Sequence, residues 1–204
     1  DEALEQINVI RGHLATAETF RGYRAASVAG TGVTALLAAL VQPSLVPDPA
    51  GRPLHYVGLW VAAAVLCGMG AGAQILLGYL KCPSPHRRAT TRIVVGHLVP
   101  VIAAGAAVTV ALVERDPLPA ALLPGLWAIL VGLGVFASRR HLPRTIGWVG
   151  LYYLVGGAAI LHFLPGPEAL APWVMGCTFG VGQLASALVL YWNLERHEWQ
   201  EESL

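Results

Sequence analysis

Few side chains along this sequence could do chemistry away from its turns. Cys67, Gln74, His97, Cys177 and Gln183 interrupt long apolar runs, and His55 and His162 stand near the ends of such runs. His97 has the richest local setting. It lies five residues after Arg92, roughly 7.5 Å along a helix at 1.5 Å per residue, and Pro100 follows three positions later. A proline there has no N–H for the carbonyl of Gly96 and kinks the helix beside the imidazole. Gln74 is expected at a similar depth on the preceding helix. A histidine beside a freed carbonyl and an amide can bind a proton, a metal or a polar ligand. The same residues also suit a single interhelical hydrogen bond that fixes packing, and this is the plainer use.

His55, His162 and Cys177 form a second set, predicted near the same end of three different helices. Two histidines facing each other across a bundle can ligate haem or another tetrapyrrole, and a His/His/Cys set can hold a metal. Nothing in the sequence makes these three face one another, so the identity of any cofactor stays open. Gln74, His97 and Gln183 could instead line a path for a small polar solute.

Enzymatic chemistry finds less support. Intramembrane proteolysis needs a Ser/His pair, paired aspartates or a metal motif. No acidic residue lies within an apolar run, no HExxH occurs, and Ser186 has no GxSG context. The chain is therefore expected not to be an enzyme. Three cysteines, an odd number without CxxC spacing, suggest neither a disulfide framework nor a zinc site.

The elements that must position these residues are apolar helices. The chain is 55% hydrophobic and 12% charged, against about 25% charged in a soluble domain. Six apolar segments are predicted at 25–42, 57–80, 92–113, 119–137, 145–164 and 169–194. Each is about twenty residues long, which matches a hydrocarbon core roughly 30 Å thick. Prolines 43, 47, 49 and 53 are expected to break the chain between the first two, and Pro83, Pro85, Pro117, Pro119, Pro165 and Pro167 mark later turns. The expected fold is all-α: a polytopic transmembrane bundle of six helices over 25–194, preceded by an amphipathic cytoplasmic helix (1–24) and followed by a cytoplasmic tail (195–204).

Charge orients the bundle. Placing both termini and the turns at 81–92 and 138–144 on one side gathers every Lys and Arg there except Arg52 and Arg115. Positive charge marks the cytoplasmic side, so both termini are predicted to be cytoplasmic. A formal net charge of +1 gives no reason to expect nucleic acid as a partner. Tyr56, Trp60, Trp127, Trp148, Trp173, Tyr191 and Trp192 are expected to form interfacial belts. The phrases VGLW (57–60), PGLW (124–127) and APW (171–173) hint at three copies of a two-helix hairpin, although interfacial tryptophans would create part of that likeness anyway. Glycines 68, 70, 72, 132, 134, 156, 157, 176, 180 and 182 are expected at close helix contacts. At 68–72 they could alternatively mark a broken helix.

Residues 1–20 are polar and of mixed charge without an apolar core, so no cleavable signal peptide is expected. Ala3, Ile7, Ile10, Leu14 and Ala17 recur at steps of four and three, which predicts one apolar helical face. Its opposite face is mixed in charge. Docking on the cytoplasmic loops or pairing with a protein partner suits it better than adsorption to anionic lipid.

The phrases LPGLW (123–127), APWVMGCTFGVGQ (171–183) and ETFRG (18–22) resemble a group of small, uncharacterised bacterial inner-membrane proteins. The resemblance implies a six-helix bacterial membrane protein with both ends cytoplasmic, in contact with the lipid bilayer. It implies no activity and transfers no functional residue. The function expected is that of a non-enzymatic binding, regulatory or accessory subunit. The alternatives are a haem-, pigment- or metal-binding membrane subunit and a carrier or channel for a small polar solute.

Overall fold

The computed structural model describes residues 25–81, 85–115, 119–138 and 144–195. The predicted helix at 1–24 and the tail from 196 on lie outside the described residues, and so do Arg139 and Arg140. Six helices follow in order: α1 (Ala25–Leu45), α2 (Pro53–Lys81), α3 (Pro85–Val113), α4 (Leu123–Ser138), α5 (Ile146–Phe163) and α6 (Pro172–Asn193). Short 3₁₀ turns at Ala120–Leu122 and Pro167–Leu170 lead into α4 and α6. No strand occurs among the described residues.

The prolines act mostly as starters. Pro53, Pro85 and Pro172 occupy the first position of α2, α3 and α6, where the missing N–H would have had no intrahelical partner. Pro43 does not break the chain as expected. It sits within the last turn of α1, which runs on to Leu45, and Val46 N–H closes the end on the carbonyl of Gln42 at 2.7 Å. A proline so near the C-terminus removes only the bond that its own N–H would have made.

Antiparallel neighbours follow from short turns. α1 packs on α2 and α6, α6 on α5, α5 on α4, and α4 on α3, while α2 and α3 touch only slightly. The two tightest seams are built from glycine. Between α1 and α6, Gly32 faces the Gly180 carbonyl and Gly176 faces Ala39. Between α4 and α5, Gly125 faces Gly157 and Gly132 faces Gly150. At each point a methyl group would meet backbone or side chain at 3.0 Å or less. In a solvent as apolar as leucine, this close approach is what holds helices together.

The glycines of α2 differ from expectation. Gly68, Gly70 and Gly72 have nothing among the described residues near the place where a side chain would stand, so packing on those residues does not explain them. The helix also continues unbroken through 68–72.

Apolar side chains cover the outside. Leu40, Leu66, Met69, Ile102, Val155 and Leu188 are each more than half exposed. Among the described residues, five helices are long and apolar enough to cross a bilayer: Ala25–Leu45, Pro53–Leu80, Ala120–Ser138, Ile146–Phe163 and Pro172–Asn193. In α3 the apolar stretch is Val99–Val113. The chain is a helical membrane protein. A bundle that exposes so much hydrocarbon needs lipid rather than water around it.

Candidate functional site

Polar groups inside the bundle collect at the end where α1 turns into α2 and the chain enters α6. Gln42, 1% exposed near the end of α1, is the centre. Its amide nitrogen donates to the Leu170 carbonyl at 2.7 Å, and its side-chain oxygen accepts the indole N–H of Trp60 at 3.0 Å. One carboxamide thus ties α1 to α2 and to the 3₁₀ turn before α6. Tyr56 lies one turn before Trp60, fully buried, and its hydroxyl has no partner among the described residues. Ala35, Ala38, Val57, Leu123, Leu170 and Met175 pack around this node.

Further along the α1–α2 hairpin, Cys67 Sγ donates to the Thr31 carbonyl at 3.8 Å, and Ser27 donates its hydroxyl to the Gln74 side-chain oxygen. Gln74 is therefore half-buried and engaged with α1. The α3–α4 hairpin carries its own bond of this kind: Trp127 donates to Thr109 Oγ1 at 2.9 Å.

A second locus lies between α5 and α6. Residues 176–181 of α6 form a π-helical turn, a widening that weakens the regular i→i−4 ladder. The hydroxyl of Tyr152 on α5 donates to the Cys177 carbonyl in this turn at 2.6 Å. Tyr153 points to the interior, 5.8 Å from the Phe179 ring, and its buried hydroxyl has no partner among the described residues. That hydroxyl stands where a side chain on Gly182 would be, so only glycine fits at 182. Gln183 follows, half-buried, with its side chain beside the Tyr153 hydroxyl but outside strict hydrogen-bonding geometry.

The sequence-derived candidates are spread over four helices: His55 and Gln74 on α2, His97 on α3, His162 on α5, and Cys177 and Gln183 on α6. His97 lies on α3, and its side chain is outside the described residues. His55, His162 and Cys177 are all exposed. His162 stacks edge-on against Phe163, with ring centroids 4.6 Å apart. Among the described residues no group of three His, Cys, Asp or Glu side chains could hold a metal ion. The interfacial reading fits Trp148, Trp173, Tyr191 and Trp192, which are exposed, but not Tyr56 and Trp60, which are buried.

Sequence reasoning missed Gln42, Tyr152 and Tyr153. Hydropathy places Gln42 at the end of the first predicted span, 25–42. Its position in an apolar run beside an unusually tryptophan-marked hairpin was the available signal, because a buried carboxamide must find partners.

No family model, curated protein or solved structure matches this chain.

Proposed function

We propose that this protein is a six-span bacterial inner-membrane protein with both termini in the cytoplasm, acting as a non-enzymatic binding, regulatory or accessory subunit. One observation carries this reading: three pairs of polar side chains inside the bundle join one helix to the next. Gln42 with Trp60, Ser27 with Gln74 and Trp127 with Thr109 each bridge one helix to the next. Side chains so engaged hold a scaffold together and are not poised to donate or accept protons in a reaction. The orientation rests on charge, since all Lys and Arg except Arg52 and Arg115 fall, along the sequence, in the two terminal segments and the turns at 81–92 and 138–144. The likeness of 18–22, 123–127 and 171–183 to small bacterial inner-membrane proteins agrees with that location.

The partner surface under this reading is segment 1–20, whose sequence spacing predicts an apolar stripe opposite a face of mixed charge. Deleting residues 1–20 tests it. The expected result is a bundle of unchanged thermal stability in detergent that no longer co-purifies with the protein cross-linked to the intact chain. A deletion that unfolds the bundle, or that leaves the same cross-linked protein in place, overturns the assignment.

A further inference from the structure

An apolar cleft of about 260 Å³ opens between α5 and α6, lined by Trp148, Tyr152, Val181, Gly182, Ala185 and Val189. Its walls carry almost no polar surface, and the one phenol along it, Tyr152, has its hydroxyl tied to the Cys177 carbonyl. The α6 wall, from Val181 to Val189, is about 12 Å long at 1.5 Å per residue. On the share of space a water takes, about 30 Å³, the cleft has room for about nine methylene-sized groups. A single extended hydrocarbon chain has that length and that bulk. A helix, about 10 Å across, does not.

Charge at one end of the cleft says what this chain is attached to. Asn193 donates to Thr145 Oγ1 at 3.3 Å and so ties the end of α6 to the start of α5. Arg144, exposed, stands immediately before Thr145 and one turn before Trp148. α5 begins there with no acidic residue in its first turn and no side-chain cap on its first N–H groups. Arg144 and the positive end of an 18-residue helix thus lie within one turn of Trp148, which lines the cleft.

We propose that the α5–α6 cleft binds one acyl chain of an anionic phospholipid, whose phosphate lies against Arg144 and the N-terminus of α5. This goes beyond the subunit role above and does not depend on it. The test is native mass spectrometry of the full chain in a mild detergent, incubated with phosphatidylglycerol or phosphatidylcholine of the same chain length. The protein is expected to retain one phosphatidylglycerol, with about tenfold preference over phosphatidylcholine for a charge-assisted contact. Arg144→Gln is expected to abolish the preference. Val181→Trp, placed on an exposed wall position, is expected to reduce retention of both lipids. Equal retention of the two lipids by the unaltered protein, or retention unchanged in Val181→Trp, overturns the site. So does a photo-cross-linker at position 185 that captures a protein helix in native membranes in place of lipid.

Discussion

Trp60 donates its indole N–H to the side-chain oxygen of Gln42 at 3.0 Å, across 18 residues of chain. Trp127 reproduces the relationship in the α3–α4 hairpin, donating to Thr109 Oγ1 at 2.9 Å across the same 18 residues. The two tryptophans end the matching phrases VGLW and PGLW, so the first two hairpins share a lock as well as a motif. In the third hairpin Trp173 is 59% exposed and stands outside the core. The likeness between hairpins therefore extends to internal contacts in two of the three.

This lock predicts an asymmetry in stability. Gln42→Leu strands both the Trp60 N–H and the Leu170 carbonyl in the core, and should cost about 1–3 kcal/mol. Trp60→Phe removes a donor and leaves Gln42 its bond to Leu170, so it should cost less in hydrogen bonding. Unfolding in mixed detergent micelles would measure both. The double variant should reveal a coupling of about 0.6–1.7 kcal/mol, the range of hydrogen bonds between membrane helices. Strictly additive losses would mean that the two side chains do not act together.

Glycine substitutions should divide by seam. A methyl at Gly157 would lie 2.6 Å from the Gly125 carbonyl oxygen, and backbone cannot swing aside as a side chain does. Gly157→Ala is expected to destabilise by about 1–3 kcal/mol through overpacking. Gly68→Ala and Gly70→Ala face open space. They should be neutral, or stabilising by up to about 1 kcal/mol through helix propensity. Thermal unfolding of the three variants side by side checks the division.

That contrast also shows what was legible in the sequence. Depth along the membrane normal could be read, because hydropathy and proline placement mark where each helix enters and leaves. The predicted 25–42 and 145–164 lie within a few residues of Ala25–Leu45 and Ile146–Phe163. Azimuth could not be read. A helix in lipid is apolar on both its inner and its outer face, so no amphipathic stripe separates Gly157, packed on α4, from Gly68, which is open. Trp60 and Trp173 occupy equivalent levels and similar phrases, yet one is buried and the other exposed for the same reason. His55, His162 and Cys177 share a level in the sequence, but a shared level does not bring side chains together.

Orientation can be checked independently of packing. A periplasm-dependent alkaline phosphatase fused after Gly166, in the α5–α6 turn, should be active, and the same enzyme fused at Arg139 should be inactive. Moving charge tests the cause: Arg139→Glu with Arg140→Glu and Arg144→Glu should lower the fidelity of insertion, since Lys and Arg near helix ends set topology. Activity at position 139 in the unaltered protein would invert the bundle.

Two adjacent tyrosines on α5 should respond in opposite directions to loss of a single oxygen. The hydroxyl of Tyr152 holds the Cys177 carbonyl at 2.6 Å, within a π turn that lacks the regular ladder. Tyr152→Phe should cost about 0.5–1.5 kcal/mol, the net worth of one hydrogen bond, and should speed amide exchange in residues 177–183. Tyr153 buries its hydroxyl without a partner among the described residues, so Tyr153→Phe removes a desolvated group and keeps the ring against Phe179. It should be neutral or stabilising, by at most about 1–3 kcal/mol, the cost of an unsatisfied buried polar atom. Hydrogen exchange and thermal unfolding on the two variants read both signs. A destabilised Tyr153→Phe would reveal that its hydroxyl has a partner in the folded protein, with Gln183 the side chain placed to be it.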